Sequence, residues 1–334
     1  MTTASSSAVM PADWLRPLGT TGLQVSAVCA GGSPLGSMPE IYGHDLAHDD
    51  GVAMVRAVLD SPVRWIDTAN GYSDGESERR IGAGLAAAGG LPPDFLVATK
   101  VDAAGRDYSG DRVRASVAES RQRLGLDELP LVYLHDPEFH DFAELTAPGG
   151  AVDALVALRE EGAVGHIGLA GGDTREMARY LELAATRYGG RGFEVVLVHN
   201  RWTLVDHSAA DLIDQAERLG VAVVNAAIYG GGILANPNGD QQTYGYRPAL
   251  PETLKAIAAL EQSCHEAGTD LATAALQASV HDPRISATIV GMSRPARLQK
   301  VVRAVSTELP PGLLDHLAEL LPDRHVWLDV QDRS

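Results

Sequence analysis

The sequence predicts an α/β fold, a closed parallel (β/α)8 barrel, and three observations predict it. Short β-branched apolar runs recur at 25–30, 64–67, 95–100, 131–135, 165–169, 194–198, 221–226 and 287–290, separated by helical patterns. Several runs lack polar alternation, such as Val195-Val196-Leu197-Val198, as expected of strands covered by helices. The third observation is size. With 334 residues, 45% of them hydrophobic, and no break in composition, the chain suits one barrel with insertions better than two domains.

The elements follow in order. Residues 1–13 are small and polar, with no basic start and no apolar centre, so we expect a frayed tail rather than a signal peptide, and one barrel domain over 14–334. The second run ends at Asp67, and Tyr72 lies five residues on, in the turn that leaves it. The third run ends at Lys100. The helix after it, 111–124, carries Val113, Val117 and Leu124 near one stripe. The fourth run ends at His135, and the segment 137–150 then breaks the rhythm. Asp173-Thr174 can cap the helix that opens with Glu176, and Pro295 suits a first helical turn. The polar, turn-rich stretch 235–251 is expected to serve the barrel mouth, and with Tyr42 and Trp202 to shape a pocket.

Charge and cysteine usage bound the function. A net charge of −17 argues against nucleic acid or an anionic membrane surface as partner. No apolar run approaches ~20 residues, so no membrane span is expected. Cys29 and Cys264 match no metal spacing and read as buried thiols in a reducing compartment, so we expect a cytoplasmic protein with no metal site. Its oligomeric state is not legible.

The polar residues point to chemistry. Asp67, Lys100 and His135 end consecutive strands straight after apolar runs, at the carboxyl face where barrel active sites lie, and Tyr72 can lean over the same mouth. Together they form a proton-donating device. The phenol has an ordinary pKa of about 10, which an adjacent ammonium on Lys100 would lower. Asp67 would keep that lysine charged, and His135 could position a carbonyl. Taken singly, each has a plain structural reading: an internal ion pair, a core histidine, a loop aromatic. The device lacks an electron source, which a hydride-carrying cofactor would supply. Two further readings compete, a Schiff-base lyase using Lys100 and a non-catalytic cofactor-binding subunit.

A cofactor should sit where the last strands end. Tyr229, Gly230, Gly231 and Gly232 follow the seventh run, where glycines allow backbone amides close to a pyrophosphate. Gly291, Met292, Ser293, Arg294 and Arg297 follow the eighth, where a helix N-terminus and two arginines suit phosphate. By contrast Gly82-Ala83-Gly84-Leu85-Ala86-Ala87 fits a dinucleotide pattern but follows charged helix rather than a strand, so it reads as helix.

These residues resemble the aldo-keto reductase family. The stretch from Arg16-Pro17-Leu18-Gly19 to Val25-Ser26 is similar to its N-terminal hairpin, and Ile66-Asp67-Thr68-Ala69-Asn70-Gly71-Tyr72 with Glu76-Ser77-Glu78-Arg79-Arg80 to its signature. Lys100 and His135-Asp136-Pro137 match in order and spacing. The resemblance implies a (β/α)8 TIM barrel with an N-terminal β-hairpin plug and extra C-terminal helices. It further implies a nicotinamide cofactor reached by Asp67 and the two late loops, and a catalytic tetrad of Asp67, Tyr72, Lys100 and His135, with Tyr72 as general acid and base. Loop segments 147–150 and 168–172 are similar to the aldose 1-dehydrogenase branch, which implies a small carbonyl or sugar substrate. The chain also departs from the family. Ala170 and Gly171 stand where many members hold the nicotinamide amide with serine and asparagine, and His199-Asn200 where a glutamine is common, which leaves that role to Asn200. Arg294 and Arg297 favour NADP(H), with NAD(H) open.

Overall fold

The structure, a computed structural model, describes residues 10–37, Pro39, 45–240 and 242–331. Two short antiparallel strands come first, β1 (Leu15–Pro17) and β2 (Gln24–Ser26). The barrel strands are β3 (Val28–Gly31), β4 (Trp65–Asp67), β5 (Leu96–Val101), β6 (Leu129–His135), β7 (Val164–Gly171), β8 (Val195–His199) and β9 (Ala222–Ala226). After a small hairpin of β10 (Thr243–Tyr244) and β11 (Arg247–Pro248) comes the last, β12 (Ile285–Gly291). The ring closes in the order β12-β3-β4-β5-β6-β7-β8-β9.

All eight predicted runs become barrel strands. The first, 25–30, straddles two elements: Val25 belongs to β2, and the chain turns at Ala27, whose N–H donates to Trp14 O at 2.7 Å. Ser26, the one polar residue of the run, sits at the joint, and its hydroxyl donates to Val28 O at 2.6 Å. The β1–β2 hairpin plugs the amino end of the barrel. Leu18 and Val25 are fully buried in the interior cluster, and the Arg16 guanidinium donates to Val280 O at 2.6 Å. Gly19, at φ +55°, approaches Ala222, the first residue of β9, closely enough that a Cβ would sit 2.9 Å from the Ala222 side chain. Met10 already packs against the helix-side core and Asp13 pairs with Arg16 at 2.7 Å; residues 1–9 of the expected tail lie outside the described residues, as does Tyr42.

Strand parity builds the site. In β8, Val195 and Leu197 join Leu96, Ala98, Leu131 and Tyr133 inside the barrel, while Val196 and Val198 face the helices. The same inward parity runs on to the carboxyl ends. It brings Asp67 above Trp65, Lys100 above Ala98, His135 above Tyr133 and His199 above Leu197. Each strand thus buries apolar side chains below and presents an ionisable one at the mouth.

The helices fall largely where their signals place them. Ser109 caps Gly110–Leu124, Gly125 ends it at φ +70°, and Val113, Val117 and Leu124 are buried. Asp173 accepts from the amides of Arg175 and Glu176 to cap Thr174–Tyr188. The decoy glycines lie in the helix Glu76–Ala87, and a Cβ on Gly82 would overlap Arg123 O, so smallness there serves helix–helix contact. Segment 137–150 contains a short turn, Pro137–Phe139, and the helix Phe142–Thr146, rather than an irregular loop. The extra C-terminal helices are Leu313–Glu319 and Leu328–Gln331. The second docks through Leu328 N–H on Asp206 (2.7 Å) and Asp329 on Arg201 (3.1 Å), with Leu328 against Gly245 of the β10–β11 turn. Among the described residues no helix is long and apolar enough to cross a membrane.

Candidate active site

Lys100 sits inside the mouth, 2% exposed. Its Nζ donates to Asp67 Oδ1 at 2.5 Å, Thr68 O at 2.7 Å and Tyr72 OH at 3.1 Å, which uses all three ammonium protons. Burial alone would drive the lysine towards neutrality, but the charge of Asp67 and the Tyr72 partner outweigh it and hold the pKa above its ordinary value. An ammonium so held is a poor Schiff-base nucleophile, which removes the support for a lyase.

Tyr72 corrects one expectation. Burial pushes its phenol up, Lys100 pulls it down, and Asp67 adds repulsion, so the net shift is upward rather than downward. Sequence shows the neighbouring charge but not the cost of desolvating a phenolate. At neutral pH Tyr72 is a protonated phenol whose oxygen accepts from an ammonium.

The turn carrying Tyr72 is held from outside the barrel. Ser73, Asp74 and Gly75 all take left-handed backbone, with φ of 49°, 51° and 82°. A Cβ at Gly75 would overlap the Arg123 guanidinium, which donates to Asn70 O at 3.0 Å and pairs with fully buried Glu78 at 3.1 Å. Glu78 also accepts from Thr99 Oγ1 at 2.6 Å. Glu78→Ala strips a buried partner from both Arg123 and Thr99, so urea denaturation should show stability lower by about 3 kcal/mol. A loss below about 0.5 kcal/mol would mean this buttress carries no weight.

His135 faces Tyr72 edge-on, with ring centroids 5.8 Å apart. Two residues that sequence reasoning missed position it. Asp102 Oδ1 lies 2.6 Å from His135 Nδ1, while its Oδ2 accepts from Gly71 N–H at 2.6 Å. One carboxylate therefore ties the histidine to the turn that carries the tyrosine. Tyr108 accepts from the His135 amide at 2.9 Å, and its hydroxyl lies 2.7 Å from Val101 O. Burial pulls the imidazole pKa down, but Asp102 and Asp136 outweigh it, and the net shift is upward. The Asp102 carboxyl is held below its usual range because His135 and the Gly71 amide outweigh its burial.

Beyond His135 the mouth is lined by Asp136, Glu138 and His199, also unforeseen. Donor atoms of these three lie within 4.8 Å of one another. Glu138 Oε1 accepts from the amides of Gly172 (2.5 Å) and Asp173 (3.1 Å), and its buried Oε2 has no partner. A Cβ at Gly171 would stand 2.5 Å from that Oε2, and one at Gly172 would stand 2.8 Å from His199 Cε1. Gly171, which departs from the family pattern, thus makes room for Glu138, and Gly172 beside it makes room for His199. A signal existed for His199, which continues the inward parity of β8; Glu138 could not be found without the loop path.

The expected cofactor residues divide. Asn200, fully buried at φ +61°, leaves its Oδ1 without a partner at the end of β8, which fits a carboxamide donor such as that of nicotinamide. Arg297 lies over the Tyr229 ring at 5.3 Å, and the Arg294 N-cap opens the helix Pro295–Ser306 beside it. Gly291 is the last residue of β12, and Ser293 lies in the turn that follows it. Met292 does not face a ligand: its side chain is in the helix-side core and its amide donates to Gly31 O at 3.2 Å. Nor is the glycine turn an open amide cradle. Gly230 N–H donates to Ala227 O and Gly232 N–H to Tyr229 O, both at 2.9 Å. The φ values of Gly230, Gly231 and Gly232 (61°, 84° and 118°) show that the turn itself demands glycine. Tyr244, under this turn, lies 2.8 Å from Asn200 O and anchors the 235–251 segment to the site. Trp202 does not shape the mouth. It donates to Asp282, just before β12 at the opposite end, and stacks on His207.

Comparison with known proteins identifies the family. The chain is 34% identical to L-galactose dehydrogenase of Arabidopsis thaliana, over 88% of this chain and 88% of that one. It is 31% identical to D-threo-aldose 1-dehydrogenase of a Pseudomonas species (89% and 94% covered), and 30% to pyridoxal 4-dehydrogenase of Microbacterium luteolum (88% and 94%). An aldo-keto reductase from Bacillus halodurans, solved in its holo form, shares the fold with a TM-score of 0.75 at 20% identity, covering 97% of this chain and 100% of that one. With residues 28–321 matching the Aldo/keto reductase family, the chain belongs to that family and is a nicotinamide-dependent oxidoreductase of CH–OH and aldehyde groups.

Proposed function

We propose that the protein moves hydride between nicotinamide and C1 of an aldose, oxidising the hemiacetal or reducing the open aldehyde, using Tyr72 as the proton donor and acceptor. The observation that carries this reading is the Tyr72 hydroxyl 3.1 Å from a buried ammonium that Asp67 keeps charged. When bound, the nicotinamide supplies or receives the hydride. Tyr72 gives its proton to the carbonyl oxygen in reduction, an oxygen far more basic than phenolate once it becomes alkoxide, and takes a proton back in oxidation. Lys100 offsets the charge left on the phenol oxygen at that moment, and Asp67 keeps Lys100 fixed. His135 orients the substrate oxygen from the far side. The three dehydrogenase relatives act on L-galactose, D-threo-aldoses and pyridoxal by name, and the first two support a sugar.

Asn200 would hold the nicotinamide end, with Tyr229 and the 291–297 loop at the far end. Arg294 and Arg297 favour a 2′-phosphate, hence NADP(H). The test is a turnover screen of NAD⁺ and NADP⁺ against L-galactose, L-fucose, D-arabinose and pyridoxal; no turnover with any sugar would sink the substrate assignment. The double change Arg294→Ala with Arg297→Ala should weaken NADPH binding by about tenfold or more while leaving NADH binding within about threefold, read by fluorescence quenching. Equal losses for both would mean the arginines do not read the extra phosphate.

A further inference from the structure

We propose that Asp136, Glu138 and His199, with Tyr246 above them, form a subsite for the hydroxyl groups of a polyhydroxy aldehyde, beside the carbon that reacts. The proposal deepens the aldose reading above and rests on it. None of these four residues has a part in the proton transfer, yet all gather at its edge.

The spacing carries the argument. His135 Nε2 is 3.7 Å from Asp136 Oδ2, and His199 Nε2 is 4.0 Å from Asp136 Oδ1. Both gaps are too long for a direct hydrogen bond. Each is suited to one hydroxyl, which donates to the Asp136 carboxylate and accepts from His199 Nε2–H, or from His135 Nε2–H when that ring is charged. Asn200 Nδ2 donates to His199 Nδ1 at 3.2 Å, which leaves the His199 proton on Nε2, towards Asp136. Burial first, then the charges of Arg201, His135 and Lys100, hold that imidazole neutral, down to about 4 against the pull of Asp136. Glu138 Oε2 adds a buried acceptor that no protein group satisfies, aimed where a ligand hydroxyl could donate to it. Tyr246, 68% exposed on the β10–β11 turn, stands over His199 with ring centroids 6.3 Å apart. An exposed aromatic above carboxylates suits a sugar, which has C–H faces and hydroxyl edges. The room for all this exists because positions 171 and 172 are glycine.

Erythrose and butanal test this, since both are four-carbon aldehydes and differ in hydroxyl groups. In the full-length protein with NADPH, the ratio of kcat/KM for erythrose to that for butanal should fall about 10- to 100-fold in Glu138→Gln, chiefly through KM for erythrose. Asp136→Asn should do the same; asparagine tolerates the left-handed φ of 44° at that position. An unchanged ratio in both folded variants overturns the subsite. So does an equal loss of NADPH affinity by fluorescence titration, which would assign these groups to the cofactor instead. Stoichiometric binding of Mn²⁺ or Zn²⁺ by the wild type, lost in Glu138→Gln, would likewise overturn it in favour of a cation. A wild type that reduces butanal but ignores erythrose defeats the subsite and leaves hydride transfer standing. One that reduces neither aldehyde and oxidises no sugar with NADP⁺ or NAD⁺ defeats the parent reading as well.

Discussion

Tyr72→Phe should lower kcat by about 10²- to 10⁴-fold with both sugars and simple aldehydes. The loss is expected in kcat rather than KM, because the hydroxyl acts on the oxygen only as charge develops there. The fold should survive. Removing the hydroxyl takes one of three partners from Lys100, and the other two, Asp67 Oδ1 at 2.5 Å and Thr68 O at 2.7 Å, remain. Stability should therefore change by no more than about 1 kcal/mol, checked by urea denaturation. Lys100→Met would be a worse test, since it strands the Asp67 carboxylate, 3% exposed, without a countercharge at a cost of about 3–5 kcal/mol. A folded Tyr72→Phe protein with normal turnover would mean that some other group moves the proton.

The barrel was legible because each strand announces itself by a local apolar run. The cluster of Asp67, Lys100 and His135 was legible because an ionisable residue directly after such a run is an exception to local pattern, and Tyr72 followed from the turn five residues beyond Asp67. What failed to show depends on contacts that sequence separation hides. Asp102 and Lys100 are near neighbours, yet Asp102 looks like an ordinary loop acid until β5 and β6 bring it to His135, 33 residues on. Glu138 is read as part of a rhythm-breaking loop, and only the loop's return against Gly172 aims it at the mouth. The glycines 230–232 show the limit from the other side, for the amides of Gly230 and Gly232 close their own turn. A glycine run signals backbone freedom, and whether the freed amides meet a ligand or close their own turn is decided by the carbonyls of Ala227 and Tyr229. Tyr72 shows the same limit in its energetics: a positive neighbour can be inferred from order and spacing, whereas desolvation depends on everything that covers the ring.

Asp102→Asn should separate the two directions of the reaction. An ionised Asp102 can only accept, so His135 must donate from Nδ1, at 2.6 Å. Neutral His135 then carries its lone pair on Nε2 and can accept from a substrate hydroxyl; charged His135 presents Nε2–H and can donate to a carbonyl. The charged groups facing this ring are Asp102, Asp136 and Lys100, with the Tyr72 phenol edge-on and His199 across Asp136, and the two carboxylates outweigh both burial and the lysine to raise its pKa. The sign follows. Reduction, which uses the donor form, is fullest below the ordinary histidine value of about 6.5 and is lost as pH rises through the raised one, while oxidation gains over the same window. The stability that the charged ring contributes has the same direction, present at low pH and lost as pH rises. An asparagine at 102 can turn its amide to donate to Nδ1, which moves the proton of the neutral ring to Nε2 and removes the charge that raised the pKa. Oxidative kcat/KM should then fall about 10²-fold, while reduction keeps its activity at high pH and loses its descending limb. Paired pH profiles of the two directions, with an NMR titration of His135, check this. A uniform loss in both directions with the pH dependence unmoved would reduce Asp102 to a strut holding the Gly71 amide and deny it any say over the histidine's proton.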